Sequence, residues 1–147
     1  GIPTAHERDP ERAIRAALDM HQSLAELNAE LEHERGMRLS MRIGINTGPV
    51  VVSYLGGRQG EDFSVVGDTV NLASRMESSG ESGKVNISET TYVRIKDYFE
   101  TEVRGQIMAK NKGSVAMYFV KRIKSEFSAD AAGLHPNSRF QKMVARY

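Results

Sequence analysis

The chain has no cysteine among its 147 residues. This absence excludes disulfide bonds, thiolate zinc sites and a cysteine nucleophile, and it fits a reducing compartment, so we expect a cytoplasmic protein. Long apolar runs are missing as well: none approaches the roughly 20 residues that a membrane-spanning helix needs. The N-terminal "GIPTAHERDP" lacks the apolar core of a signal peptide. The sequence therefore predicts no membrane contact from this segment.

A surplus of one charge sign is also absent. The chain carries 20 Lys and Arg against 19 Asp and Glu, a formal net charge of +1, which gives no global electrostatic reason to expect nucleic acid as a partner. Its four histidines show no i,i+4 metal spacing, so a zinc site is not supported. No GxSxG motif is present, so nucleophilic hydrolysis has no sequence support.

Helical and strand periodicities alternate along the chain. A long amphipathic helix is predicted from Asp9 as N-cap and Pro10 in the first turn to a stop at Gly36. Two strands follow, one from Leu39 and one at "VVVSYL", and we expect them to pair as a hairpin whose second strand is buried on both faces. The loop "GGRQG" is interpreted as a connector because it lacks the ending of a phosphate loop.

The second half continues the alternation. A short strand "FSVV" leads into a helix capped by Asp68, then a strand "KVNIS", a helix from Ser88, and two strands around the turn "KNKG". The predicted order is helix, three strands, helix, strand, helix, two strands. This order is typical of an α+β domain with helices packed on a largely antiparallel sheet.

The domain prediction divides the chain at about residue 123. Residues 1–123 form one compact domain, and residues 124–147 form a C-terminal tail with turn formers and a short basic amphipathic segment. The tail is interpreted either as a docking element or as a linker.

Asn71 and Arg75 lie four residues apart on the helix that follows "VVGD". They therefore share a helix face, about 6 Å apart along the axis. An amide and a planar guanidinium together suit a ribose and its phosphate. The alternative is structural: Asn71 serves as a polar capping partner and Arg75 is a solvated arginine.

The lysines of "KNKG", at positions 110 and 112, allow a similar choice. They either bind a polyphosphate or keep an exposed turn solvated.

Three stretches, "MRIGINTGPVVVSYLGG", "FSVVGDTVNLASRMES" and "VRGQIMAKNKGSVAMYFV", closely resemble the class III adenylyl and guanylyl cyclase catalytic domain in order and spacing. The resemblance covers residues 1 to about 123. It implies a ferredoxin-like nucleotide cyclase fold that works as a head-to-tail homodimer. It also implies that ATP or GTP is converted to the cyclic 3′,5′-monophosphate and pyrophosphate.

The resemblance assigns roles to four residues. Asn71 matches the asparagine that orients the ribose, and Arg75 matches the arginine that stabilises charge at the α-phosphate. Lys112 matches the lysine that binds the triphosphate, although Asn111 stands where the family more often has glycine. Ser64 matches the position that helps to select the base, and its hydroxyl favours ATP over GTP.

The resemblance further implies Mg²⁺ or Mn²⁺, which the family binds through two aspartates in a segment that precedes the one matched here. We therefore expect the chain to represent the C-terminal two-thirds of a cyclase domain, truncated at its N-terminus and without turnover on its own. One alternative is a non-catalytic cyclase-like module for dimerisation or regulation. Another is an unrelated ferredoxin-like interaction domain.

Overall fold

The computed structural model of the protein describes residues 4–56, 61–109 and 113–145. The order of elements up to the last strand is the predicted one, and the α+β class is confirmed. The elements are α1 Asp9–Arg35, β1 Ile43–Ile45, β2 Val51–Gly56, β3 Glu61–Val66, α2 Asp68–Ser78, β4 Val85–Ser88, α3 Glu89–Ile95, β5 Phe99–Ala109, β6 Gly113–Ile123, a 3₁₀ turn Ser125–Phe127 and α4 Ser138–Val144.

Four strands form the main sheet in the order β1-β4-β6-β5. The β1–β4 pairing is parallel, whereas β4–β6 and β5–β6 are antiparallel. The predicted hairpin around "KNKG" is therefore confirmed as the β5–β6 pair. Helices α1 and α3 contact β4 on one side, and α2 packs on β1 and β4.

The predicted hairpin between β1 and β2 is wrong. β1 covers only three residues and pairs with β4, while β2 pairs with β3 in a separate two-stranded sheet. Burial of β2 on both faces is wrong as well, since Val51 is 62% exposed opposite Val66. The physical reason is that side chains of the intervening loop bind α2, β4 and α3, which draws the chain out of the main sheet before β2 begins.

Two helix starts differ by one residue from the prediction. The N-cap of α1 is Arg8 and that of α2 is Gly67, so Asp9 and Asp68 are first-turn residues rather than caps. Asp68 cannot be the cap because the Gly67 carbonyl already accepts from the amides of residues 70 and 71. The predicted stop of α1 is confirmed: Gly36 adopts the left-handed conformation and closes the helix.

A buried asparagine fastens the segment that follows α1. Asn28 Nδ2 donates to the Leu39 carbonyl at 2.8 Å, and the Leu39 amide donates to Asn28 Oδ1 at 2.8 Å. Because this amide bonds both backbone groups of one residue, it holds the extended segment against the helix. The approach to β1 is thereby set before the strand begins.

The main core lies between the sheet and helices α1 and α3, and the C-terminal segment contributes to it. Phe140 of α4 is 2% exposed and lies edge-on to Tyr98 and Phe99, with ring centroids 5.5 and 6.1 Å apart. Phe127 of the 3₁₀ turn belongs to the same cluster. The segment beyond β6 therefore docks on the domain instead of leaving it.

We expect Phe140→Ala to lower the free energy of unfolding by about 3–5 kcal/mol, because it opens a cavity in an aromatic cluster. Urea denaturation monitored by circular dichroism measures this change. Met143→Ala is the control: the Met143 side chain lies on the same helix but is 37% exposed, and we expect less than about 1 kcal/mol. Equal effects of the two variants would contradict the docking of α4 through Phe140.

Candidate functional site

Helix α2 lies unusually close to β1 at Gly44. A Cβ on Gly44 would stand 2.0 Å from the Glu77 nitrogen and 2.6 Å from the Ala73 carbonyl oxygen. No side chain fits between this strand and this helix, since real Cβ atoms do not approach backbone so closely. The separation between α2 and the sheet is thus set by the glycine.

The loop after β1 holds the first turn of α2. Asn46 Nδ2 donates to the Thr69 carbonyl at 3.0 Å, and Thr69 Oγ1 donates to the Pro49 carbonyl at 2.6 Å. Asn46 Oδ1 in turn accepts from Ser88 Oγ at 2.6 Å and from Thr90 Oγ1 at 3.0 Å. One asparagine therefore ties the start of α2 to the start of α3. The sequence-based predictions assigned no role to Asn46.

Two long-range side chains hold the last turn of α2. Asn86 Nδ2 of β4 donates to the Met76 carbonyl at 2.7 Å, and Arg104 Nη1 of β5 donates to the Ser79 carbonyl at 2.7 Å. The Arg104 guanidinium also lies over the Phe119 ring, 4.2 Å from its centroid. Since C-terminal helix carbonyls lack partners within the helix, these donors satisfy groups that would otherwise be unpaired. Helix α2 is consequently held at both ends, by the loop after β1 and by side chains of β4 and β5.

Asn71 and Arg75 lie within α2, so the structure places both on one face of this fixed helix. Asn71 is exposed, and its side chain makes no hydrogen bond to another described residue. It therefore does not act as a capping partner. Arg75 is partly buried, and its Nη1 atom is buried without a hydrogen-bond partner among the described residues. It is therefore not simply a solvated arginine.

The other two predicted site residues are not joined to this pair by the described contacts. Ser64 lies on β3 opposite Ser53 of β2 and is half-buried. No hydrogen bond links Ser64 to Asn71 or Arg75 in the described part of the chain. Lys112 lies outside the described residues, as does Asn111.

The described residues do not fit a divalent metal site. Within residues 4–56, 61–109 and 113–145, no group of three or more His, Asp or Glu side chains is placed to hold an ion. Asp68 starts α2 and belongs to no such group among the described residues. Mg²⁺ and Mn²⁺ prefer several carboxylate or carbonyl oxygens, and that donor set is not assembled here.

A cavity of about 720 Å³ opens beside the loop after β1. Its walls include the start of α1, residues 46–48, Thr69 and Arg94. Neither Asn71 nor Arg75 lines it. The predicted pair thus lies outside the lining of this cavity.

Residues 1–122 match the family model of the adenylate and guanylate cyclase catalytic domain. The chain belongs to this cyclase catalytic domain family. The resemblance of the three sequence stretches is thereby confirmed.

Individual cyclases support the assignment. The chain is 41% identical over 115 residues to the receptor-type guanylate cyclase gcy-8 of Caenorhabditis elegans, covering 76% of this chain and 10% of the relative. It is 33% identical over 139 residues to an adenylate cyclase of Mycobacterium bovis, covering 94% of this chain and 30% of the relative. The cyclase-family chain thus spans less than a third of either curated relative.

A solved cyclase structure shows the same fold. The guanylate cyclase domain of RhGC from Catenaria anguillulae, crystallised in complex with GTP, superposes with a TM-score of 0.72 at 36% identity. The match covers 84% of this chain and 65% of that domain. The ferredoxin-like cyclase architecture predicted from the sequence is therefore confirmed.

None of the helices in the described part of the chain is long and apolar enough to cross a bilayer.

Proposed function

We propose that this cyclase-family chain contributes Asn71 and Arg75 to a nucleotidyl cyclase site that converts ATP, in preference to GTP, to the cyclic 3′,5′-monophosphate and pyrophosphate. Family membership supports the reaction class. The relatives include both adenylate and guanylate cyclases, so they do not choose the base. The proposal depends on one observation: the Nη1 atom of Arg75 is buried without a hydrogen-bond partner among the described residues.

Burial of a guanidinium nitrogen without a hydrogen-bond partner destabilises the folded protein, because the charged donor loses its hydrogen bonds to water and forms none in their place. Arg75 Nη1 is in this state among the described residues. A phosphate oxygen is the natural acceptor, since the guanidinium fork matches phosphate geometry. Exposed Asn71, one turn away, offers a donor and an acceptor to a neighbouring ribose.

The reaction needs little covalent chemistry from the protein. The ribose 3′ oxygen bonds to the α-phosphorus, the bond from that phosphorus to the bridging oxygen breaks, and pyrophosphate leaves while the hydroxyl proton is lost to base. Asn71 orients the ribose so that its 3′ oxygen faces the α-phosphorus. Arg75 stabilises the negative charge that develops on the α-phosphate oxygens.

Two further residues complete the proposed contacts with substrate. Ser64 would lie near the purine edge, where its hydroxyl can donate or accept, and the preference for ATP rests on the family position that Ser64 matches. Lys112 would bind the triphosphate as a point charge. Both assignments rest on the alignment of sequence motifs.

We further propose that a second cyclase domain, in a homodimer, covers this face of α2. Asn71 projects from the chain surface, and Arg75 needs a partner that the described residues do not supply. Exposed apolar side chains flank the same region: Val51 and Val66 pair across the β2–β3 hairpin, and Val70 is in the first turn of α2. An apolar rim beside unsatisfied polar groups is typical of an interface that completes a site.

Cyclases of this family use Mg²⁺ or Mn²⁺, and the described residues assemble no carboxylate cluster for either ion. We therefore expect no cyclic nucleotide when the 147-residue chain alone is incubated with ATP and Mn²⁺. A polypeptide that carries this chain together with two metal-binding carboxylates is expected to turn over. Cyclic nucleotide is quantified by chromatography with ATP and GTP as parallel substrates.

Each result of this assay has a defined meaning. Turnover by the 147-residue chain would overturn the expectation that metal ligands must come from elsewhere. No turnover by the longer polypeptide with either nucleotide would favour the alternative of a non-catalytic dimerisation or regulatory module. Higher turnover with GTP than with ATP would contradict the base preference assigned to Ser64.

A further inference from the structure

Asn86 is a fully buried amide in the middle of the sheet. It is 0% exposed and stands in register between Gly44 of β1 and Phe119 of β6. Its chain neighbours Val85 and Ile87 belong to the main core with α1 and α3, so Asn86 points to the opposite face of the sheet, where α2 packs. A polar side chain at a fully buried strand position requires a specific reason.

The hydrogen bonds of Asn86 are asymmetric. Nδ2 donates to the Met76 carbonyl at 2.7 Å and also approaches Met117 Sδ at 3.4 Å. Oδ1 is buried without a hydrogen-bond partner in the described part of the chain. An apolar residue of the same shape would avoid this unmet acceptor. The contribution of this amide is therefore its hydrogen bond to the Met76 carbonyl rather than its packing.

Gly44 and Asn86 constrain α2 in different ways. Gly44 allows the helix to approach the strand but offers no group that resists sliding or rotation. The bond from Asn86 is directional and fixes one particular carbonyl of α2 at one point of the sheet. That carbonyl belongs to Met76, the residue directly after Arg75.

We propose that Asn86 is a positioning residue for Arg75: through its bond to the Met76 carbonyl, it fixes the axial position and rotation of the last turn of α2, and hence the direction of the Arg75 guanidinium. Its effect on turnover rests on the proposed cyclase function. Its effect on the position of Arg75 does not. Arg104 supports the same turn from β5, but it bonds Ser79, which lies beyond the helix.

The test compares Asn86→Leu with Asn28→Leu. Both changes replace a buried asparagine that bonds backbone by an apolar residue of similar shape, but Asn28 bonds Leu39 and makes no described hydrogen bond to α2. Asn86→Ser is the second variant in case leucine prevents folding, because its hydroxyl is too short to reach the Met76 carbonyl. All variants are compared at temperatures where circular dichroism shows them folded.

The first measurement is the NMR signal of the Arg75 Nε–H group, together with amide hydrogen exchange of residues 76–80. We expect Asn86→Leu to shift or broaden the Arg75 signal and to speed exchange in this turn at least tenfold, whereas Asn28→Leu leaves both unchanged. Unchanged signals in Asn86→Leu, or equal changes in both variants, would overturn the proposal. This arm needs no catalytic activity.

The second measurement is the separation of kcat from KM in a turnover-competent polypeptide that carries this chain. A displaced guanidinium lowers kcat by between about ten- and a hundredfold, with KM changed less than about twofold. A fall in stability without a fall in kcat would show a purely structural role and overturn the proposal. If the wild type lacks cyclase activity, the proposed function fails while the NMR arm still decides the role of Asn86.

Discussion

Arg75→Ala is expected to lower kcat for cyclic nucleotide formation by about 10² to 10³, because it removes a fixed positive charge aimed at the transition state. Arg75 Nη1 is buried without a hydrogen-bond partner among the described residues, so no described side chain competes with the α-phosphate for it. The affinity for the nucleotide should fall much less than the rate, since the negative charge on the α-phosphate oxygens increases as the reaction proceeds. Steady-state kinetics and equilibrium titration with ATP measure the two quantities separately.

Two further variants define this effect. Arg75→Lys keeps the charge but loses the planar fork, and we expect it to recover only part of the lost rate. Arg38→Ala is the control, because Arg38 is an exposed arginine that pairs with Glu32 of α1 and makes no described hydrogen bond or ion pair to α2, and it should leave kcat unchanged. A loss of affinity equal to the loss of rate would show that Arg75 binds the ground state and would contradict its assigned role.

Gly44→Ala is expected to lower the free energy of unfolding by at least about 3 kcal/mol, the upper end for overpacked interiors. The added methyl group would meet the Glu77 nitrogen and the Ala73 carbonyl of α2, and backbone cannot rotate away as a side chain can. The helix must move as a whole, which also breaks the bond from Asn86 to Met76. Urea denaturation of the 147-residue chain measures the loss.

Gly36→Ala separates this clash from the general cost of replacing glycine. Gly36 has φ 63° and nothing within 4 Å of an added Cβ, so its replacement costs only backbone strain, about 1 to 2 kcal/mol. If Gly44→Ala were no more destabilising than Gly36→Ala, the close contact between β1 and α2 would not exist in solution.

Local signals in the sequence predicted most of the elements. The long apolar periodicity and Gly36 identified α1, and the glycine-containing turn between two alternating segments identified the β5–β6 hairpin. The shared face of Asn71 and Arg75 followed from helix geometry alone. These features depend on residues that are close in sequence, and a local pattern can therefore specify them.

The pairing of β1 could not be predicted in the same way. Alternation indicates that a segment is a strand but not which strand it joins, and β1 pairs with a strand about 40 residues away. The roles of Gly44 and Asn86 depend on the same non-local arrangement, because each residue contacts α2 only when this helix lies across β1 and β4. Asn86 in particular alternates with Val85 and Ile87, and this pattern does not distinguish it from a polar residue on an exposed strand face.

The sheet separates two packing layers that have different tasks. One layer, with α1, α3 and Phe140, contains most of the buried apolar side chains. The other, around Met76, Met117 and Asn86, holds the helix that carries the proposed catalytic pair. Because substitutions that share no neighbours act nearly independently, changes in the first layer can alter the stability of the domain while leaving the geometry of the second layer intact.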